Sequence, residues 1–247
     1  MRAIFIADAH LRHPQDQNYR NLLNFLEQQQ GNLDALFLLG DIFEFWIGYR
    51  SVVFSEHLPL LCRLQQLSES GCRLFYVEGN HDFNLGAFFT DTLKCTVIPD
   101  QQVVPLGGRK IFVCHGDLAD PKAKSYRLLR AFWRSGFLKF LTKIVPPDAA
   151  WRFGNFLCNL SRKKRHRRHD PSPLVIPYAK KSLALGADYF VCGHFHYPLQ
   201  TTIKEGQITV LGDWIKQFSY LEAVDDDIEL KTFQDSLPSI SPADGPH

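Results

Sequence analysis

The chain has 247 residues, 45% of them hydrophobic, and a formal net charge of +2. That length suits one large α/β domain or a domain carrying an inserted subdomain, and the apolar fraction excludes wholesale disorder. The near-neutral balance names no polyanionic partner, and no run reaches the ~18 apolar residues of a membrane-spanning helix.

The opening "MRAIFIADAH" reaches a charged residue after only a few apolar ones, which reads as a buried strand over 3–8 and not as a signal peptide. "NYRNLLNFLEQQQ" (18–30) then places Leu22, Phe25 and Leu26 on one helical face. A second strand follows in "ALFLLGD" (35–41). A second helix, "SEHLPLLCRLQQLSES" (55–70), sets Leu58, Leu61, Leu64 and Leu67 along one side, and "RLFYVEGN" (73–80) reads as a third strand. Strand–helix–strand alternation argues for parallel pairing.

After Cys95 the pattern turns antiparallel. Hairpins are expected at Gly107-Gly108 in "TVIPDQQVVPLGGRKIFVCHG", at Glu205-Gly206 in "LQTTIKEGQITVLGD", and at residues 225–227 in "FSYLEAVDDDIELKTF". "KIFVCHG" (110–116) and "YFVCGH" (189–194) are further buried strands. Between them, residues 122–168 carry helical, aromatic and basic segments divided by Pro146-Pro147, and read as an inserted helical cap. Its Phe132, Trp133, Phe137, Phe140, Trp151, Phe153 and Phe156 would pack as core or line an acyl pocket. "SPLVIPYAKKSLALG" (172–186) reads as a helix interrupted near Pro177. Residues 1–235 form the expected domain, and the Pro- and Ser-rich 236–247 a disordered tail. Six cysteines without a CxxC pair, several in apolar runs, fit buried free thiols of a reducing compartment, so a cytoplasmic chain is expected.

The strand ends carry the chemistry. The first gives Asp8 and His10, the second Asp41, the third Asn80 and His81, the fourth His115, and the fifth His194 and His196. In an α/β sheet, functional groups gather beyond the carboxyl ends of the strands. Alternation along an extended segment would put Asp8 and His10 on one side. One histidine at a strand end is ordinarily structural, and "LGD" alone is a common turn. Five such endings in one chain are hard to obtain from turns. Carboxylate, imidazole and amide oxygen suit two divalent ions, Mn²⁺ or Fe²⁺ with Zn²⁺ as an alternative. Asp41 is the natural bridge between ions ~4 Å apart, and such a pair activates water for in-line displacement at phosphorus.

The motifs "DAH" (8–10), "GD" (40–41), "GNHD" (79–82), "HGD" (115–117) and "GHFH" (193–196) resemble, in order and spacing, those of the calcineurin-like metallophosphoesterases. The resemblance implies a four-layer α/β/β/α sandwich with a dinuclear centre. Asp8, His10, Asp41 and His196 would hold one ion, and Asp41, Asn80, His115 and His194 the other. It also implies that Asn80 and His81 contact the phosphate, His81 protonating the leaving oxygen with Asp82 orienting its ring. Asp117 would support His115 or cap a turn.

Within that family, "LGDIFEFWIG" (39–48) resembles a block of the UDP-2,3-diacylglucosamine hydrolases, which release UMP and an acylated glucosamine 1-phosphate in lipid A biosynthesis. This narrower likeness implies a lipid-linked nucleotide-sugar substrate and peripheral contact with the cytoplasmic face of the inner membrane. Many members of that group have Arg where this chain has His81, and their Ser/Lys-rich cap stretch has no clean match here. Arg12 and His13 would reach a phosphate or lie in a solvated loop. Arg162, Lys163 and Lys164, in the run "SRKKRHRR" (161–168), would clamp substrate phosphate, meet anionic lipid, or form a solvated helix face. One short basic patch on a near-neutral chain argues against nucleic acid. Glu44 and Trp46 are expected to be packing residues. Two further readings stand beside the lipid one: a phosphoesterase for another nucleotide or phospholipid, and a metal-bound scaffold without catalysis.

Overall fold

The computed structural model describes residues 1–141, 143–162, 169–225 and 227–234. The chain alternates β1 (Arg2–Ile6), α1 (Gln17–Gln28), β2 (Ala35–Leu38), α2 (Leu58–Glu69), β3 (Arg73–Val77) and β4 (Thr96–Ile98). The four strands pair in parallel, β1 to β2 to β3 to β4. β5 (Gln101–Leu106) and β6 (Arg109–Cys114) form an antiparallel hairpin through Gly107 and Gly108, both at positive φ. β7 (Tyr189–Cys192) runs parallel to β6. The hairpin of β8 (Leu199–Ile203) and β9 (Gly206–Val210) completes the second sheet, in the order β5-β6-β7-β9-β8. The last hairpin, β10 (Ser219–Val224) and β11 (Asp227–Thr232), returns to the first sheet beside β1, giving β11-β10-β1-β2-β3-β4.

Three apolar layers follow from the two-residue period of the strands. Ile4 and Ile6 of β1, with Leu36 and Leu38 of β2, pack against Leu22, Phe25 and Leu26 of α1 and Leu60, Leu61, Leu64 and Leu67 of α2. The alternate residues Ala3, Phe5, Ala35 and Phe37 face Ile111, Val113 and Val191 of the second sheet. Phe5, Phe37 and Phe75 are in register across three strands and stack with centroids 4.4 Å apart. The outer face of the second sheet, Phe112, Phe190, Ile208 and Val210, is covered by α6 (Ser172–Leu183) through Val175, Ala179 and Leu183. Helix, sheet, sheet and helix make the four layers.

Between β6 and α6 the chain forms α3 (Lys124–Trp133), α4 (Gly136–Leu141) and α5 (Pro147–Arg162). No helix of the described residues is long and apolar enough to cross a membrane.

Four local expectations are corrected. Leu58 is 47% exposed and Leu60 takes its place in the core, because the helix starts at Leu58 with Pro59 in its first turn. Residues 96–98 do not join the hairpin that follows. They pair with β3, and the chain crosses between sheets at Pro99 and Asp100. The β8–β9 turn is centred on Lys204 and Glu205, with Gly206 already in the ladder opposite Ile203. Helix α6 runs unbroken through Pro177, which lies at its middle. Of the six free cysteines, Cys62 is exposed and the others are buried. Residues 236–247 and the basic segment 163–168 lie outside the described residues, as does the Arg162 side chain.

Candidate metal centre

The loops after β1, β2 and β7 meet at one end of the sandwich. Asp8, His10, Asp41, His194 and His196 have φ of 57°, 46°, 54°, 74° and 52°. A non-glycine residue in this region costs roughly 1–2 kcal/mol, so strain is concentrated in the residues that turn inward. It also corrects the alternation argument. β1 ends at Ile6, and two left-handed residues, not an extended strand, bring Asp8 and His10 together. The loops are laced by backbone bonds, Asp8 N–H to Gly40 O at 3.1 Å and His10 N–H to Asp41 O at 2.9 Å. His194 N–H donates to Asp8 Oδ2 at 2.7 Å. Two glycines permit this closeness. A Cβ on Gly79 would stand 2.3 Å from Asp41 Oδ1, and one on Gly193 would stand 2.4 Å from Ala7 Cβ.

Seven side chains converge. His10 Nε2 lies 3.3 Å from His196 Nε2 and 3.7 Å from Asp41 Oδ2. His196 Nε2 is 3.6 Å from Asp8 Oδ1. On the other side of Asp41, His115 Nε2 lies 3.6 Å from Asp41 Oδ2, 3.2 Å from Asn80 Oδ1 and 3.2 Å from His194 Nδ1. Asp41 thus stands between two sets, as a bridging carboxylate would. Asp8, His10 and His196 form one group able to hold an ion, and Asp8, Asp41 and His115 another.

The far sides of three rings fix which nitrogens face inward. His10 Nδ1 faces Glu44 Oε2 at 3.3 Å, His196 Nδ1 faces Asp213 Oδ2 at 3.5 Å, and His115 Nδ1 donates to Leu39 O at 2.8 Å. With those protons outward, the Nε2 lone pairs point at carboxylate, amide and imidazole acceptors. Where His10 Nε2 meets His196 Nε2 and Asp41 Oδ2, and His115 Nε2 meets Asn80 Oδ1 and Asp41 Oδ2, acceptor faces acceptor at 3.2–3.7 Å, an arrangement that a cation satisfies. Asp8 Oδ1 is buried without a hydrogen-bond partner among the described residues, a further ligand atom that fits an ion.

The charges agree. Burial pushes the Asp8 carboxyl up to about 6 despite the pull of His196 and His115. Burial would raise Asp41 too, but His115, His81 and His10 outweigh it and hold its carboxyl well below the usual range. Burial opposes charge on His115, yet Asp41 and Asp8 push it up to about 9. Burial and the neighbouring His115 push His194 down to about 4. The field that draws a proton onto His115 would also draw a divalent cation.

Asp82 does not orient His81. Its carboxylate accepts the N–H groups of Asp41 (2.8 Å), Ile42 (2.6 Å), Phe43 (3.2 Å) and Gly79 (3.0 Å), and the Tyr76 hydroxyl at 2.6 Å. It faces away from the rings and braces the Asp41 loop. The His81 ring is set instead by its Nδ1 on the carbonyl of Glu44 at 2.7 Å. Glu44 is 2% exposed and its carboxylate faces His10, so packing does not describe it. Asp213, fully buried, escaped notice in the sequence. Its signal was a second "LGD" (211–213) after a buried strand, matching residues 39–41. Asp117 supports His115 through its charge, which helps to push that ring's pKa up, while its hydrogen bonds go elsewhere. It accepts Arg130 Nε at 2.6 Å and Tyr126 hydroxyl at 2.7 Å, which ties α3 to the loop after β6. Burial alone would raise it, but His115 and Arg130 hold it low.

The cap sits over His81. Arg134 donates to the carbonyls of Glu78 at 3.2 Å and Gly79 at 3.0 Å, beside Asn80. Gly154 of α5 lies so close to Phe45 that an added Cβ would stand 2.4 Å from the ring. Cys158 Sγ lies 3.1 Å from Glu44 O and 3.5 Å from His81 Nδ1. Phe45 separates two chambers of about 260 Å³ each. One, apolar, is lined by His81, Phe83, Leu129, Trp133, Leu157 and Cys158. The other is lined by Arg12, His13, Glu44, Trp151, Arg152 and Asn155. Arg12 Nε, buried there, has no hydrogen-bond partner among the described residues. Of the expected cap aromatics, Trp133 and Trp151 line the chambers, while Phe132, Phe137, Phe140, Phe153 and Phe156 are exposed and not core.

A four-layer sandwich with histidines, aspartates and an asparagine at its strand ends defines a class. The calcineurin-like phosphoesterase family model matches residues 1–198, and the chain belongs to that family. Its relatives are more particular. A UDP-2,3-diacylglucosamine hydrolase of Pseudomonas paraeruginosa (strain DSM 24068 / PA7) is 30% identical over 230 residues, covering 90% of this chain and 95% of that protein. One of Pseudomonas syringae pv. tomato is 30% identical over 239 residues, covering 93% and 95%. Among solved structures, an archaeal phosphodiesterase shares the fold with a TM-score of 0.53 at 13% identity, covering 94% of this chain and 100% of that one.

Proposed function

We propose that the chain hydrolyses the diphosphate of UDP-2,3-diacylglucosamine, giving UMP and 2,3-diacylglucosamine 1-phosphate. One observation carries the reading: the converging ligand atoms and an apolar chamber share a wall at His81. Its backbone N–H donates to Asp41 Oδ1 at 2.9 Å, and its ring lines the chamber beneath the cap. A diphosphate held at Asn80 and His81 would place an attached acyl chain against Phe83, Leu129, Trp133 and Leu157. Relatives with the same name, aligned over nearly the whole chain, support the same substrate.

Two divalent ions, Mn²⁺ first with Fe²⁺ or Zn²⁺ as alternatives, would be held by Asp8, His10, Asp41 and His196 and by Asp41, Asn80, His115 and His194. When bound they supply Lewis acidity to phosphate oxygens and activate water for an in-line displacement. Asn80 would also meet an equatorial oxygen. His81, with Nδ1 on the Glu44 carbonyl, would give its proton to the leaving phosphate through Nε2. Arg12 would use its buried Nε on a second phosphate oxygen.

The cap presents apolar side chains outward on all three helices, with Leu128, Phe137 and Phe153 at 75%, 59% and 57% exposure. Soluble monomers rarely keep such surface in water. A cap resting on the cytoplasmic face of the inner membrane would cover it and receive a lipid substrate directly.

Hydrolysis with Mn²⁺ of UDP-2,3-diacylglucosamine and of UDP-glucosamine lacking the acyl chains tests the reading. A much higher kcat/KM for the acylated substrate is expected. Equal efficiencies would remove the acyl role of the chamber, and cleavage of neither would point to another phosphoester.

A further inference from the structure

The two sets of ligand atoms are supported differently from behind. His10 and His196 each have a buried carboxylate at Nδ1, Glu44 at 3.3 Å and Asp213 at 3.5 Å. Both are closed off from solvent, at 2% and 0% exposure. His115 has, among the described residues, a backbone carbonyl and no carboxylate at its Nδ1, Leu39 O at 2.8 Å. The directly facing atoms differ in the same sense. Asp8 and the shared Asp41 serve the first position, while the neutral Asn80 and the shared Asp41 serve the second. Asp8 also lies within reach of His115, but the other acids near the second position are hydrogen-bonded elsewhere, Asp117 to Arg130 and Tyr126, and Asp82 to four backbone N–H groups and Tyr76.

We infer that Glu44 and Asp213 are positioning residues that make the two metal positions unequal. The Asp8–His10–His196 position fills first and holds its ion more tightly than the Asn80–His115–His194 position. The inference rests on the metal-centre reading above. A carboxylate accepting the outer N–H of an imidazole locks the tautomer and ring angle and raises the basicity of the coordinating nitrogen, and losing such a partner costs roughly 10–100-fold in metal affinity. A carbonyl fixes the tautomer equally well but adds no charge. Four carboxylates, Asp8, Asp41, Glu44 and Asp213, face or back the first position; of these only Asp41 and Asp8 lie within reach of His115 in the second, where a carbonyl and no carboxylate backs the ring. Coulombic attraction for a divalent ion is thus greater at the first.

Glu44 belongs to the "LGDIFEFWIG" block, and its placement is built. Its backbone N–H bonds Leu11 O at 3.0 Å, which runs residue 44 alongside the His10 loop, and its own carbonyl sets the His81 ring. Asp213 is fixed through Oδ1 by the N–H groups of Ile215, Lys216 and Gln217 at 2.7–3.2 Å, leaving Oδ2 toward His196.

The test is stepwise titration of the full chain with Mn²⁺, followed by calorimetry and electron paramagnetic resonance. Two unequal steps are expected, an isolated-ion signal after the first equivalent and a spin-coupled signal only after the second. Glu44→Gln and Asp213→Asn keep size and an oxygen while removing charge. Each should weaken the first step roughly 10–100-fold with the second little changed. Asn80→Ala should remove the second step and spare the first. Glu44→Asp should restore part of the first step, and circular dichroism without metal should show every variant folded. Two equal steps in the wild type, loss of the second step in Glu44→Gln, or three bound ions with Glu44→Gln losing one would overturn the inference. Absence of any Mn²⁺ binding by the wild type would instead overturn the metal-centre reading on which it stands.

Discussion

Asp41 and Asp82 hold each other's loops. Asp82 Oδ1 accepts the Asp41 N–H at 2.8 Å, while Asp41 Oδ1 accepts the N–H groups of Asn80 and His81 at 2.9 Å each. One carboxylate of the pair turns toward the candidate metals and the other toward the backbone. This reciprocity takes Asp82, which the motif "GNHD" had paired with His81, out of the catalytic role and makes it a brace for the Asp41 loop.

The first expectation concerns Asp82. Asp82→Ala strands four buried N–H groups and the Tyr76 hydroxyl, each worth roughly 1–3 kcal/mol when unsatisfied. Relaxation and water recover part of this, so urea unfolding should show a loss of about 3–5 kcal/mol. Variant protein that stays folded at low temperature should still bind Mn²⁺. Unchanged stability would show that the carboxylate does not brace the loop.

Gly154 sets the fit of the cap. Gly154→Ala favours the helix by up to ~1 kcal/mol but forces its Cβ into the Phe45 ring, and overpacking of this kind costs about 1–3 kcal/mol. Phe45 lines both chambers and must move. KM for the acylated substrate should rise while hydrolysis of a small aryl phosphodiester stays near wild type. A parallel fall on both substrates would mean that the change reaches the metal loops.

His57 gives a pH signature. It is buried under Phe43, Trp46 and Trp151, with Nε2 on the Phe45 carbonyl at 3.1 Å, and burial pushes its pKa down to about 4 from 6.5. The folded state favours the neutral ring. Its contribution is therefore complete above pH 6.5, the unfolded value, and is lost as pH falls toward 4. The loss is on the order of 3 kcal/mol across that window. His57→Gln should flatten the difference between unfolding free energies at pH 7 and pH 4.5. Equal slopes in variant and wild type would contradict the assignment.

Much of the fold was legible because each core strand is a short apolar run ending in a polar signature, so "AIFIAD", "ALFLLGD" and "KIFVCHG" fixed both the strands and the ligand positions. What was hidden depends on tertiary choices. Nothing local tells Thr96–Ile98 to pair with β3 rather than run on into β5, because the crossing depends on a sheet edge elsewhere. Asp8 and His10 meet through left-handed backbone, which composition does not encode. The second carboxylate layer was partly readable. Glu44 lay in a motif already noted, but its partner, His10, is 34 positions away in sequence, and only the fold places them 3.3 Å apart. The cap aromatics resisted because an amphipathic helix declares an apolar face without saying what covers it.

The most direct measurement is phosphorus NMR of UDP-2,3-diacylglucosamine incubated with the purified chain, comparing Mn²⁺ with chelator and wild type with Asp41→Asn. The expected result is conversion to UMP and 2,3-diacylglucosamine 1-phosphate with Mn²⁺ and wild type alone, since Asp41 serves both metal positions. Conversion that survives chelation or Asp41→Asn would contradict a bridged two-metal centre, and an intact diphosphate under all conditions would contradict the assigned reaction.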